Sequence, residues 1–374
     1  MEEIDYTYNL TATTTTEISS TLNNKRDQIL EVSSIVIVTL YIIVMVISIP
    51  GNLLIIWIIA SNKRLKNSIN LLVCNLAVAG ILIGIVRMPI KIYELTHYTE
   101  IYYHYPFSNF TCKLNRFVPA CSIMVISITL TTICIDRYVS IVYPLKPHLK
   151  LTCRRVYLFL PCCWLISGLL SIPFVMFVNV IKFSDFKRCH LVMPTNSNTT
   201  GTSSNNLHFT FANIIPWAPF ILSVFLIPVI IMAILYSIMV KKLWYSAFTN
   251  NAVGIESQEY KSRMYNRTDT FSNYEYGLKM KRKVVKIFIA FVILFIATNL
   301  PYYVFFILVD FDFVLIKDIR NRMILVDSFI ILNYTCIAYN AIIYGYFNSH
   351  FRSHSPKWLR LLCNCFKPIR VVST

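Results

Sequence analysis

Phe117-Val-Pro-Ala-Cys-Ser-Ile-Met-Val-Ile-Ser-Ile-Thr-Leu-Thr-Thr-Ile-Cys-Ile135 runs for nineteen residues without an Asp, Glu, Lys or Arg, then meets Asp136-Arg137-Tyr138. As a helix rising about 1.5 Å per residue, such a run covers the roughly 30 Å of a bilayer's hydrocarbon. A helix also closes its backbone hydrogen bonds internally, which lipid cannot do for it. Six more charge-free runs follow the same rule: Ile35–Asn62, Ser68–Val86, Val156–Ile181, Phe209–Val240, Ile287–Val309 and Ser328–Ser349. None shows the polar–apolar alternation of barrel strands. The expected fold is an all-α membrane protein, a bundle of seven transmembrane helices.

Composition agrees. Only 14% of residues are charged and 56% are hydrophobic, whereas a soluble domain carries about 25% charged residues to cover its surface. Eight glycines and fifteen prolines exclude a collagen-like or low-complexity chain. The net charge of +17 raises the question of nucleic acid, and its placement answers it. With the N-terminus outside, the four cytoplasmic segments hold 21 Lys and Arg and the extracellular ones hold 8. That bias sets an extracellular N-terminus, and the partner of the basic residues is the lipid bilayer, with no nucleic acid required.

Met1–Val32 is polar and Thr-rich, without the apolar stretch of a secretory signal, so the first span is expected to act as its own insertion signal. Glycosylation sequons at Asn9, Asn109 and Asn198 fall on the outer side. Those at Asn266 and Asn333 fall in the cytosol and within a span, and are chance matches. The domain reading is 1–32, a glycosylated extracellular N-terminus; 33–350, the seven-helix bundle with a third cytoplasmic loop near 244–283; and 351–374, a short amphipathic eighth helix and tail.

The eleven cysteines sort by compartment. Cys74, Cys121, Cys134, Cys162, Cys163 and Cys336 lie within spans and read as small packing residues, and Cys153 lies at the cytosolic start of the fourth. Only Cys112 and Cys189 face the oxidising side, so they are expected to pair and pin the second outer loop over the bundle. Cys363 and Cys365, after Phe351–Leu362, are candidate palmitoylation sites.

The ordered set of landmarks resembles the rhodopsin-like (class A) G-protein-coupled receptors, over about residues 33–365, in a divergent form nearest the neuropeptide receptors. The set comprises Gly51-Asn52, Asn75-Leu-Ala-Val-Ala, Cys112, Asp136-Arg137-Tyr138, Trp164, Pro173, Pro228 with Tyr236, Phe295 with Pro301, and Asn340-Ala-Ile-Ile-Tyr344. The resemblance implies a receptor that activates heterotrimeric G proteins through Asp136, Arg137, Tyr138, Tyr236, Asn340 and Tyr344. In that family the Arg leaves its local pairing and meets the two tyrosines, opening a cytoplasmic cleft. An unpaired cation at the membrane boundary is costly, which gives the adjacent Asp136 its physical role. Pro173, Pro228 and Pro301 either supply bends for a two-state bundle or are architectural. Arrestin and receptor kinases are further partners that the resemblance suggests, and the location it implies is the plasma membrane.

Several positions depart from the pattern. The span-two acid is Gly80 and its serine neighbour in the sodium site is Ile126, so no sodium site of the usual kind is expected. The span-six Trp is Asn299, and the span-seven Asn-Pro reads Asn340-Ala341. These changes motivate an alternative: a ligand-binding or scavenger receptor that does not activate G proteins.

Exclusions narrow the ligand. Pro119 stands where amine receptors keep an Asp, and Tyr334 stands where opsins keep a retinal-linking Lys. A peptide remains, and the run 340–352 most resembles neuropeptide receptors. The outer ends of the spans carry Arg87, Lys91, Lys113 and Arg116 against Asp310, Asp312 and Asp327, either as ligand contacts or as solvated edges. In some amidated-peptide receptors an acid at the position of Asp310 grips a ligand Arg. Tyr302 and Tyr303 are candidates for the pocket floor, or for packing. No catalytic motif, metal-ligand set or cofactor site is present in the sequence, and no enzyme is expected.

Overall fold

The computed structural model describes residues 2–97, 106–182, 187–191, 217–256, 285–286, 289–305, 307–308 and 319–347. Its framework is seven helices. α1 is Glu2–Ser61, of which Glu31–Ser61 is the apolar membrane span, and α2 is Ser68–Thr96. α3 is Asn109–Val142 and α4 is Cys153–Leu170. α5 is built from Trp217–Ile221, Leu222–Leu226 and Ile227–Glu256. α6 is Ile289–Phe305 and α7 is Ile319–Phe347.

Three boundaries differ from the sequence reading. α2 passes beyond Val86 through Arg87, Lys91 and Glu94, because Lys91 pairs with Glu94 and Asp327 and Arg87 lies among the same charges, inside the bundle. The fourth span stops at Leu170 and does not reach Ile181: Pro173–Met176 forms a separate turn and Val178–Lys182 is a β-strand. Gly168 and Ser171 fray the end, and Pro173 sits at the first position of the next turn, where its missing N–H costs nothing. It therefore restarts the chain and does not kink α4. At the inner end of α5 the helix continues to Glu256, so the expected loop near 244–283 begins later; no proline intervenes to stop it.

Strands β1, Val178–Lys182, and β2, Lys187–Leu191, pair antiparallel with Val180 opposite Cys189. The Cys112–Cys189 disulfide fastens this hairpin to the start of α3, with Cα atoms 5.8 Å apart. Asn109 reinforces it, since its Oδ1 accepts from the Val180 N–H at 3.0 Å. Ser108 caps α3 by accepting from the Thr111 N–H at 3.2 Å.

The large exposed apolar residues, among them Val46, Trp57, Leu165, Ile293 and Ile342, face outward as a lipid-facing surface does. Inside lie Tyr41, Leu72, Met124, Ile126, Met232 and Phe295. Small residues allow close approaches between helices. A Cβ at Gly51 would lie 3.0 Å from Cβ of Ala341, and one at Gly84 would lie 2.8 Å from Ile49. Ala341, in the place of the usual proline, thus seats α7 against α1.

α2 and α5 each widen into a π turn, Ile83–Arg87 and Leu222–Leu226. Each lies just before a proline, Pro89 or Pro228. A proline cannot donate to the carbonyl four residues back, and the wider turn accommodates the broken ladder. At Pro228 the released carbonyl belongs to Val224, and Ser127 of α3 donates its hydroxyl to it at 2.6 Å.

Candidate functional site

At the end of the bundle holding Asp136, α3 presents a charged pair. Arg137 donates to Oδ2 of Asp136 at 2.8 Å, and the other carboxylate oxygen, Oδ1, accepts from the Leu151 N–H at 3.0 Å. Asp136 is buried, and it is a stable acceptor there because both of its oxygens are engaged. Nε of Arg137 has no hydrogen-bond partner. Tyr138 packs edge-on to Tyr143, 5.9 Å between centroids.

The two tyrosines of the expected switch have other partners, and Tyr236 also lies within electrostatic reach of Arg137. Tyr344 donates from its hydroxyl to Oδ1 of Asn70 at 2.7 Å, tying α7 to α2. Tyr236 is buried beside the thiol of Cys134 on α3. Lys242 of α5 donates to the Val142 carbonyl at 2.7 Å and closes α5 onto the foot of α3.

Neutral amides hold the middle. Asn75 donates to Thr129 at 2.9 Å and accepts from the Trp164 indole N–H at 2.9 Å, joining α2, α3 and α4. Asn52 donates to the Ser48 carbonyl at 2.8 Å and to the Ile337 carbonyl at 3.0 Å, joining α1 to α7. Asn299 donates to the Phe295 carbonyl, and its Oδ1 accepts from Asn333 at 2.7 Å, joining α6 to α7. Asn333 is therefore buried and engaged.

The residues present do not fit the sodium ion of the family. A Cβ at Gly80 would stand 2.9 Å from Nδ2 of Asn52 and 3.4 Å from Cβ of Ile337, so protein atoms fill the space a carboxylate would use. Ile126 is fully buried hydrocarbon. Asn340 is buried with neither its amide nitrogen nor its oxygen hydrogen-bonded.

Toward the disulfide end, the candidate ligand residues separate. Arg87 and Asp327 come together in one buried cluster of α1, α2 and α7 with Tyr41, Lys91, Glu94 and Tyr334. Lys91 takes both acids, bonding Glu94 at 3.1 Å and Asp327 at 2.8 Å. Arg116 is exposed on α3, within electrostatic reach of Glu94. Tyr303 is buried against Phe225, 5.2 Å between centroids, and Tyr302 meets Tyr303 at 5.2 Å. Phe225 in turn meets Phe295 at 6.1 Å, so the tyrosines belong to an aromatic column between α5 and α6. Asp310, Asn198, Cys363, Cys365 and the eighth helix lie outside the described residues. Asn9 lies on α1 and Asn109 is exposed at the start of α3. The role of Lys91 is the main one missed in the sequence, because nothing in its spacing distinguishes it from a lysine reaching for the interface.

The profile of the seven-transmembrane receptors of the rhodopsin family matches residues 51–344. The chain belongs to that family, whose members are receptors and not enzymes. Among relatives, it is 28% identical over 310 residues to the neuromedin-K receptor of Cavia porcellus, covering 83% of this chain and 62% of the relative. The human neuromedin-K receptor is 28% identical over 313 residues, covering 84% and 59%. The substance-P receptor of Rattus norvegicus is 26% identical over 314 residues, covering 83% and 68%. The chain spans about three fifths of the length of the neuromedin-K receptors it matches. It is thus a multi-pass membrane receptor related to neuropeptide receptors.

Proposed function

We propose that the chain is a plasma-membrane receptor, N-terminus outside, that binds an extracellular peptide and activates heterotrimeric G proteins. The observation that carries this reading is the Asp136–Arg137 pair. Arg137 is held by one carboxylate oxygen while its Nε stays unbonded, and Tyr236 and Tyr344 are each engaged elsewhere. Moving α6 away from this end, and releasing Tyr344 from Asn70, exchanges one set of neutral bonds for tyrosine contacts to the guanidinium. The cleft so opened is where the Gα subunit docks. Phosphorylation sites between α5 and α6 then serve receptor kinases and arrestin. The domain limits, the glycans on Asn9, Asn109 and Asn198 and the acyl chains on Cys363 and Cys365 belong to the same proposal.

The alternative of a scavenger receptor draws on Gly80, Asn299 and Ala341, which replace three relay residues of the family. The test is G-protein dissociation in cells across the main Gα classes, without ligand and with peptide pools, with Arg137→Ala as control. A response lost in the variant supports signalling. Peptide uptake by the wild-type chain without any G-protein response supports scavenging.

A further inference from the structure

The last carbonyl of α3 has no backbone donor. In a continuing helix the Val142 carbonyl would accept from the N–H four residues on. Here α3 ends at Val142, and the Lys146 N–H turns back to the Tyr143 carbonyl at 3.1 Å. The donor comes from another helix: Lys242 of α5 reaches the Val142 carbonyl with its ammonium at 2.7 Å. A cation at a helix C-terminus also meets the negative end of the helix dipole.

Toward the disulfide end the same exchange runs the other way. Pro228 leaves the Val224 carbonyl of α5 without its helical donor, and Ser127 of α3 supplies one at 2.6 Å. Each helix thus serves an orphan carbonyl of the other. The two ties stand fifteen residues apart on α3, about 22 Å along its axis. Both acceptors belong to the backbone, which has no rotamer to change, so together they set the height and the rotation of α5 against α3. Between them lies Tyr236, 7% exposed, beside the Cys134 thiol of α3 and within electrostatic reach of Arg137. Lys242 is itself exposed, and a hydrogen bond that exchanges with water adds little to stability. What it fixes is position.

We propose that Lys242 is a positioning residue for activation: by capping the foot of α3 it registers α5 on α3, so that Tyr236 stands ready at Arg137. This rests on the G-protein reading above and adds to it that α3 and α5 stay together as one block while α6 moves.

Two measurements test it, on the full chain in nanodiscs and in cells. The first is the rate of N-ethylmaleimide labelling, read cysteine by cysteine by mass spectrometry. Cys134 is buried, as are Cys121, Cys163 and Cys336, which lie away from Tyr236 on α3, α4 and α7 and serve as internal standards. In Lys242→Met, which keeps the length and loses the donor, Cys134 is expected to label at least fivefold faster with the standards unchanged. In Lys242→Arg, which can still donate, it should label as in the wild type. A Cys134 rate unmoved in Lys242→Met, or one that rises together with all three standards, would overturn the registering role. The second measurement is G-protein dissociation with the peptide pools. The maximal response is expected to fall at least threefold in Lys242→Met, at equal surface expression, and to be kept in Lys242→Arg. A full response in Lys242→Met would overturn the link to activation. Silence of the wild type counts against the G-protein reading, and the labelling comparison then decides Lys242 on its own.

Discussion

The Asp136–Arg137 pair at one end of α3 and the Asn299–Asn333 pair between α6 and α7 are polar contacts in an apolar bundle, and they are made by different chemistry. The Arg137 end sits at the membrane boundary, and its tie is ionic, a 2.8 Å bond to a carboxylate that also accepts from Leu151. The middle is tied by amides and hydroxyls: Asn299 to Asn333, Asn52 to the Ile337 carbonyl, Asn75 to Thr129 and Trp164. A full charge is tolerable at the boundary, where water and headgroups reach it, and expensive at the midplane. A chain that carries Gly80 in place of the central acid has removed the one charge for which its family would need a compensating cation. Neutral bonds replaced it. The difference teaches that the boundary keeps a charged pair while the centre is tied by neutral amides and hydroxyls.

The largest expected effect breaks the boundary side of that comparison. Arg137→Ala removes the cation that the opened state uses, and G-protein dissociation should vanish while surface expression persists. Asp136 keeps its Leu151 N–H, which is why the fold survives. Unchanged signalling would show that the boundary pair is structural only.

The next effect tests the centre. Gly80→Asp places a carboxylate where a Cβ alone stands 2.9 Å from the Asn52 amide. Asn52 cannot yield without losing its bonds to Ser48 and Ile337. The buried charge has no cation to meet, at a cost of about 3–5 kcal/mol. Folded receptor at the surface should fall several-fold. In the wild type, exchanging sodium for choline should leave the Tm unmoved. Normal expression of the variant, or a sodium-dependent Tm in the wild type, would mean that the centre is less filled than Asn52 makes it.

These two sites also divide what the sequence disclosed from what it withheld. The seven spans and the Asp136–Arg137 pair were legible, because a charge-free run and an adjacent acid are local features. Cys112 and Cys189 were legible by compartment. The end of α4 was not: apolar residues continue to Ile181, and a charge count cannot see that Pro173 restarts the chain as a turn. The amide ties were equally hidden. Asn52, Asn75, Asn299 and Asn333 are visible as polar residues in apolar runs, but the partners that join helices lie far off in sequence, and one of those acceptors, the Ile337 carbonyl, is backbone. Lys91 was placed with the ligand-facing charges, and only the geometry shows it holding Glu94 and Asp327 in the bundle.

A smaller effect sharpens the claim that the middle is tied by neutral amides. Asn299→Leu leaves Asn333 with a donor and no acceptor, a loss of about 1–2 kcal/mol. The double variant Asn299→Leu, Asn333→Leu removes both partners and should recover much of that loss, so the thermal shifts of the two single variants should not add. Additive shifts would mean that the 2.7 Å bond is not a coupled pair in the membrane.

The smallest effect lies at Ser127, where the two chemistries meet. Pro228 has no N–H, so the Val224 carbonyl loses its helical donor and takes the Ser127 hydroxyl at 2.6 Å instead. Ser127→Ala leaves that carbonyl buried without its donor. Hydrogen bonds between membrane helices contribute about 0.6 kcal/mol on average, with a maximum near 1.7 kcal/mol, so the Tm should fall by a degree or two. The consequence for signalling is larger than the stability change suggests. Val224 precedes Phe225, which contacts both Phe295 and Tyr303 of α6. Loosening α3 from the π turn of α5 frees that aromatic column, and ligand-independent G-protein activity should rise in Ser127→Ala and return to the wild-type level in Ser127→Thr. A variant that loses stability without gaining basal activity would confine Ser127 to packing.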